Sequence, residues 1–198
     1  EFFARIARDI SIWFLKRNYV TLICASDESQ KIEKEYFREL QNRSVDGLLY
    51  IQGRKRGVET TVNKSVPIVY IDRYSEKSGP CVVSDNLNGG EIAAEALLNR
   101  GRSRPLLIRD SCETSAVKGR QDGFLKMMKK NGVEVSVYSV SSPISSVGFQ
   151  CMKSVLSKEE IFDSVFCTND PLAMGVSQAL LSAGRRIPQD VTVIGFDD

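Results

Sequence analysis

Short runs of β-branched and apolar residues alternate along the chain with longer segments whose apolar residues recur at helical spacing. The first helical period is carried by Phe3, Ile6, Ile10 and Phe14. The apolar run 19–24 follows directly and predicts a strand. Regular exchange of such strands and helices is typical of parallel α/β architecture.

The same alternation continues over the rest of the sequence. It predicts further strands at 47–51, 66–71, 81–84, 105–108, 133–140, 164–167 and 191–195. It predicts further helices at 32–40, from about residue 54, and at 87–99, 115–130, 144–156 and 171–183. Three of these helices end at a glycine that suits a left-handed stop, namely Gly101, Gly132 and Gly184.

A polar, turn-rich stretch at 72–80 marks the predicted boundary between two lobes. We expect two doubly wound parallel-sheet lobes, an N-terminal lobe at 1–84 and a C-terminal lobe at 85–198. The chain opens on a helix with no strand before it and stops just after a strand. We therefore expect native sequence to be missing on both sides.

Composition narrows the function classes. The chain has no histidine, which excludes Ser/His/Asp triads, Cys/His pairs, HExxH zinc helices and histidine general bases. Lys and Arg number 27 against 25 Asp and Glu, a net charge of +2. A segment that grips nucleic acid by itself usually carries a denser basic face. The near balance of positive and negative charges indicates an ordinary solvated surface.

The five cysteines include no CxxC pair, and Cys24 and Cys167 lie inside apolar runs. This usage predicts buried thiols in a reducing cytosol, with neither a disulfide framework nor a zinc site. We predict no cofactor and no metal. No signal peptide is visible, and no apolar run approaches the ~20 residues of a membrane span. The pattern predicts a soluble, cytoplasmic protein without a membrane partner.

Polar side chains follow nearly every predicted strand, at the edge where open α/β sheets bind ligands. They are Ser26-Asp27, Gln52, Asp72-Arg73, Asp85-Asn86, Arg109-Asp110, Thr168-Asn169-Asp170 and Asp197-Asp198. Carboxylates, amides and guanidinium groups suit paired hydrogen bonds with sugar hydroxyls. Any one of them also fits a helix cap or a turn. Taken together, these residues, which we call the strand-end row, favour a ligand-binding cleft.

Two local predictions refine this row. Asp170 is expected to cap the helix that begins at Pro171, which leaves Asn169 to face the cleft. Arg120 lies in the first turns of its helix and is either a solvated helical arginine or a bidentate donor to the ligand.

Six segments together are similar to one protein family, in its order and spacing. They are 45–49 (VDGLL), 67–73 (PIVYIDR), 83–86 (VSDN) with Gly89-Gly90, 120–124 (RQDGF), 168–175 (TNDPLAMG) and 187–198 (IPQDVTVIGFDD). Over essentially the whole chain the sequence resembles the effector-binding core of LacI/GalR-type bacterial transcriptional repressors. The resemblance implies a periplasmic-binding-protein-like fold.

The resemblance also implies roles for particular residues. Phe2 and Phe3 match an aromatic pair that lies against the effector, and Asp72 matches a carboxylate on the hinge side of the cleft. Arg120 matches an arginine that clamps ligand hydroxyls or carboxylates. With the strand-end row, the candidate ligand-binding residues are Phe2, Phe3, Asp72, Arg73, Arg120, Asn169, Asp170 and Asp197.

The same resemblance implies a homodimeric regulator that senses a sugar or similar small polar molecule between its lobes. A helix-turn-helix headpiece absent from this chain would read operator DNA. Four residues depart from the family: Arg102 stands where a histidine is common, Arg109 and Asp110 where glycines are common, and Lys118 where an arginine is frequent.

Two other functions remain open at this stage. A periplasmic-type sugar-binding protein of a transporter shares the fold, although the missing cysteine pair and the IPQDV segment favour the regulator. An enzyme acting on a sugar could use Asp72 and Asp197 as paired acids. The strand-end row contains no nucleophile with a recognisable activator, so we predict no enzyme.

Overall fold

A computed structural model describes residues 2–53, 66–74 and 79–197 of the chain. Its helices are α1 (Phe2–Leu15), α2 (Gln30–Asn42), α3 (Asn86–Leu98), α4 (Ser115–Lys130), α5 (Ser145–Ser157) and α6 (Asp170–Ser182). Its strands are β1 (Leu48–Tyr50), β2 (Ile68–Ile71), β3 (Cys81–Val82), β4 (Pro105–Asp110), β5 (Ser136–Val140), β6 (Ser164–Cys167) and β7 (Thr192–Ile194). The predicted helix from about residue 54 lies outside the described residues.

The strands form two sheets, one of order β1-β2-β3 and one of order β5-β4-β6-β7. β2 pairs in parallel with β3, and β4, β5, β6 and β7 pair in parallel throughout the second sheet. All carboxyl ends of the second sheet therefore lie at one edge. The predicted parallel α/β fold is confirmed.

Alternating side chains of β4 separate the core into two clusters, one on each face of the second sheet. Leu106 and Ile108 pack with residues of α5 and α6, while Leu107 packs with residues of α3 and α4. In the second cluster the rings of Phe124 and Phe166 stack with centroids 4.7 Å apart. The fully buried strand β6 thus connects both clusters to the polar edge of the sheet.

α5 and α6 approach so closely that Gly175 has no room for a side chain. A Cβ there would lie 1.9 Å from the carbonyl oxygen of Ser145 and 2.7 Å from the backbone nitrogen of Phe149. Because these are backbone atoms, only separation of the two helices can relieve the clash.

We expect Gly175→Ala to lower the free energy of unfolding by about 1–3 kcal/mol, the usual range for overpacking. Urea unfolding followed by circular dichroism measures the change. The control is Gln178→Ala, a position in the same helix that lies outside this contact. Equal midpoints for the Gly175→Ala variant and the parent chain would contradict the close contact.

The segment 19–24 differs from its prediction, since it contains no strand. Val20, Leu22 and Ile23 are exposed by 85%, 59% and 67%. A strand needs a neighbour to complete its hydrogen bonds, and no described strand pairs with this run. For the same reason Cys24 is exposed rather than buried, and Cys81 at a short sheet edge is exposed as well. The prediction is confirmed for Cys167, which is buried.

The described residues form two compact units. One contains 2–48 and 66–67, and the other contains 49–53, 68–74 and 79–197. The division into lobes at 84/85 stays a prediction. Gly101, Gly132 and Gly184 have φ values of 68°, 70° and 76°, as the predicted helix stops require. No described helix combines the length and apolarity that crossing a membrane requires.

Candidate ligand-binding site

Arg120 is the centre of a polar cluster at the carboxyl edge of the second sheet. It lies on α4, which begins after the cap residue Thr114, and only 5% of its surface is exposed. Its Nε donates to Asn86 Oδ1 at 2.9 Å, Nη1 donates to the Thr168 carbonyl at 2.7 Å, and Nη2 donates to Asp197 Oδ1 at 2.6 Å. The alternative of a solvated helical arginine is therefore wrong.

The Phe196 ring packs against the flat face of this guanidinium. The Arg120 Cζ lies 3.8 Å from the centroid of the Phe196 ring, within the range of a cation–π interaction. The Phe196 carbonyl accepts a hydrogen bond from the Asp170 backbone N–H at 2.9 Å. Sequence reasoning did not single out Phe196, although its place directly before Asp197 was the available signal.

Asp197 reaches Arg120 from an unusual backbone conformation. Its φ is 106°, a region that non-glycine residues occupy at a cost of about 1–3 kcal/mol. The ion pair with Arg120 joins a guanidinium that is 6% exposed to a carboxylate that is 28% exposed. The conformation of this residue is thus held by a partner on another element.

Asp72 and Arg73 form a second ion pair at the end of β2, with 3.3 Å between Arg73 Nε and Asp72 Oδ2. Arg73 Nη1 also donates to the Gln52 carbonyl at 3.4 Å. Burial raises the pKa of the Asp72 carboxyl, and the positive charges of Arg73 and Arg120 oppose that rise. The negative charge of Asp197 raises the same pKa. Asp72, Arg120 and Asp197 therefore lie within electrostatic reach of one another.

Thr168 contributes a side chain as well as its carbonyl. It is 1% exposed, and its Oγ1 has no hydrogen-bonding partner within the described part of the chain. Unpaired buried hydroxyls are uncommon in folded proteins, because desolvation without a partner is costly. The Thr168 hydroxyl is therefore an unsatisfied polar group in the residue whose carbonyl binds Arg120.

The start of α6 corrects one prediction. Asn169 is the cap residue: its Oδ1 accepts from the Leu172 N–H at 2.9 Å, and its Nδ2 donates to the Pro143 carbonyl at 3.2 Å. Asp170 is the first residue of the helix. The prediction that Asp170 caps the helix while Asn169 faces the cleft was therefore wrong. The extended backbone of Asn169, with φ −155° and ψ 165°, gives Asn169 the cap geometry.

Arg109 and Asp110 belong to β4 itself rather than to the loop after it. Arg109 Nη1 donates to Glu113 Oε1 at 2.7 Å, and Asp110 Oδ1 accepts from the Cys112 N–H at 3.0 Å. Both charged groups therefore have protein partners. Arg102, a further departure from the family, donates from its Nε to Thr192 Oγ1 at 2.9 Å.

The aromatic pair lies in the other compact unit. Phe2 and Phe3 begin α1, with ring centroids 5.2 Å apart in an edge-to-face arrangement. Their contact with an effector stays a prediction. The described residues contain no group of three or more side chains that could hold a metal ion.

Comparison with known proteins shows the family to which this fold belongs. Residues 2–198 match the family described as periplasmic binding proteins and sugar binding domain of LacI family. The chain belongs to this family, as its sequence motifs predicted.

Particular relatives refine the comparison. The chain is 28% identical to the ribose operon repressor of Escherichia coli strain K12, with 100% of this chain and 62% of that protein aligned. It is 25% identical to the HTH-type transcriptional repressor PurR of Pasteurella multocida, with 100% and 61% aligned. The chain thus spans 62% and 61% of the length of these two relatives.

A solved structure shows the same fold. The periplasmic binding protein/LacI transcriptional regulator from Alkaliphilus metalliredigens, complexed with D-xylulofuranose, superposes with a TM-score of 0.85 at 27% identity. The match covers 100% of this chain and 73% of that one.

Proposed function

We propose that this chain is the effector-binding core of a DNA-binding transcriptional repressor that senses a sugar or a similar small polar molecule. The observation that carries the proposal is the buried Arg120 guanidinium, fixed by three hydrogen bonds at the sheet edge where α/β folds bind ligands. Relatives over the whole chain are named as repressors, which supports regulation over transport.

The charges at the site favour a neutral ligand. Arg120 faces Asp197, and Arg73 faces Asp72, so each positive charge already has a carboxylate partner. A phosphate or carboxylate on the ligand would have to displace one of these partners or add an uncompensated charge. A hydroxyl requires neither.

The remaining hydrogen-bonding capacity also matches hydroxyls. Arg120 uses three of its five N–H groups on protein oxygens, so further donors are available. The hydroxyl of Thr168 both donates and accepts, and the carboxylate of Asp197 accepts at more than one position. A sugar hydroxyl donates and accepts at once, and this mixed set is complementary to it.

The other candidate residues complete the proposal. Phe2 and Phe3 pack against a face of the sugar, Asp72 and Arg73 bind from the end of β2, and Asn169 and Asp170 contribute from the start of α6. A helix-turn-helix headpiece outside these 198 residues contacts operator DNA, and the protein works as a cytoplasmic homodimer. No catalytic step is proposed.

A thermal-shift panel tests the function. We expect a neutral pentose or hexose to raise the melting temperature, because a ligand at 100 times its Kd stabilises the folded state by about 2.7 kcal/mol. The panel includes sugar phosphates and purine bases at matched concentration and ionic strength. A rise with none of the compounds, or turnover of any sugar, would overturn the proposal.

A further inference from the structure

The Phe196 ring fills the space between the Arg120 guanidinium and the first turn of α3. A Cβ added at Gly89 would lie 2.6 Å from both Cε2 and Cζ of Phe196. The guanidinium lies against the face of the same ring, with Cζ 3.8 Å from the centroid. The ring therefore has contacts on two sides.

Phe196 has little freedom to move away from these contacts. Its carbonyl is bound by the Asp170 N–H, and its side chain packs against the core cluster that contains Phe124 and Phe166. A group that pushes on the outer edge of the ring must therefore tilt it against Arg120. The observed stacking of Phe196 on Arg120 therefore requires a residue without a Cβ at position 89.

The first turn of α3 thus reaches Arg120 by two routes. Asn86 accepts directly from Arg120 Nε, and Gly89, three residues further on, acts through the Phe196 ring. Residues three apart lie on one face of a helix, so both routes start from the same face of α3.

We propose that Gly89 and Phe196 are positioning residues that set the orientation of Arg120 for its ligand. This inference rests on the proposed function for the role of Arg120, but the positioning itself exists without a ligand. Gly89 does not stabilise α3 itself, because glycine within a helix is less favourable than alanine.

The test uses the Arg120 Nε–H resonance in the ligand-free chain. Stacking on an aromatic face shifts such a resonance upfield, so it reports on the geometry between Arg120 and Phe196. We expect Gly89→Ala to move the resonance towards its position in Phe196→Leu, which lacks the ring. Asn88→Ala, in the same turn but exposed, is the matched control and should leave the resonance in place.

A double-mutant cycle separates positioning from general damage. In the Phe196→Leu background the methyl group that Gly89→Ala adds meets no ring, so this second substitution should produce no further shift. An unmoved resonance in Gly89→Ala, or an equal shift with and without the ring, would overturn the proposal. If Gly89→Ala does not fold, Phe196→Leu tests the contribution of the ring, and an unmoved Arg120 resonance in that variant would overturn the proposal.

Calorimetry with D-ribose as the probe provides the second readout. We expect Gly89→Ala to weaken binding by about tenfold, equivalent to the loss of one good hydrogen bond. Asn88→Ala should bind like the parent chain. If the resonance moves as expected and the parent itself binds no sugar of the panel, the proposed function fails and the positioning stands. Unchanged affinity in Gly89→Ala, with a parent that binds, contradicts the positioning role.

Discussion

Arg120→Lys is expected to weaken sugar binding by about a hundredfold, the range measured when one member of a buried, hydrogen-bonded charge pair is altered. Lysine keeps the charge but not the planar fork of donors that reaches Asn86, Thr168 and Asp197 together. It also loses the flat face that stacks on Phe196. Isothermal titration calorimetry with the best neutral sugar of the panel measures the loss.

The matched control is Arg100→Lys. Arg100 is exposed and lies just after α3, and its Nη1 donates to the Ala96 carbonyl of that helix at 2.9 Å. This variant should bind like the parent chain. Far-ultraviolet circular dichroism establishes that Arg120→Lys is folded before its affinity is interpreted. Parental affinity in a folded Arg120→Lys variant would remove Arg120 from the site.

Phe166→Ala is expected to cost about 3–5 kcal/mol of stability, the range for truncating a buried aromatic side chain. The ring is fully buried and stacks on Phe124 with an interplanar angle of 28°. No neighbouring side chain can fill the cavity without leaving its own place in the cluster. Urea unfolding measures the loss.

Phe166→Leu is the control for volume. It keeps an apolar side chain in the cluster and should cost much less, about 1.5 kcal/mol or below. Because β6 leads directly to Thr168, the alanine variant should also weaken sugar binding when it is folded. Equal stability of Phe166→Ala and the parent would show that this cluster does not carry the fold.

Most helices and strands after residue 85 could be predicted from the sequence, because their signals are local. Apolar periodicity located the helices, and the stop glycines and Pro171 fixed their ends within a few residues. The run 19–24 was misjudged because its apolar pattern is that of a strand, while a strand also needs a partner. Partners are a property of the fold and not of the segment.

In the site, too, the residue types could be predicted from the sequence, while their contacts depend on the fold. The row of polar residues after the strands indicated Asp197, and the family resemblance indicated Arg120. Neither indicated that the two form an ion pair, nor that Phe196 lies beneath the guanidinium. The exchange of roles between Asn169 and Asp170 depends on a single pair of backbone angles, which the side-chain types do not specify.

The hydrogen bonds of Arg120 have a consequence for how binding competence arises during folding. Their partners are 34, 48 and 77 residues away along the chain. Contacts of such separation form only after the intervening loops have closed, and that closure is slow. A partly folded chain can contain α4 and still lack the three oxygens that orient its arginine. A sugar would therefore bind only protein molecules in which β6, β7 and α3 have assembled around Arg120. Sugar binding would thus measure the fraction of completely folded protein.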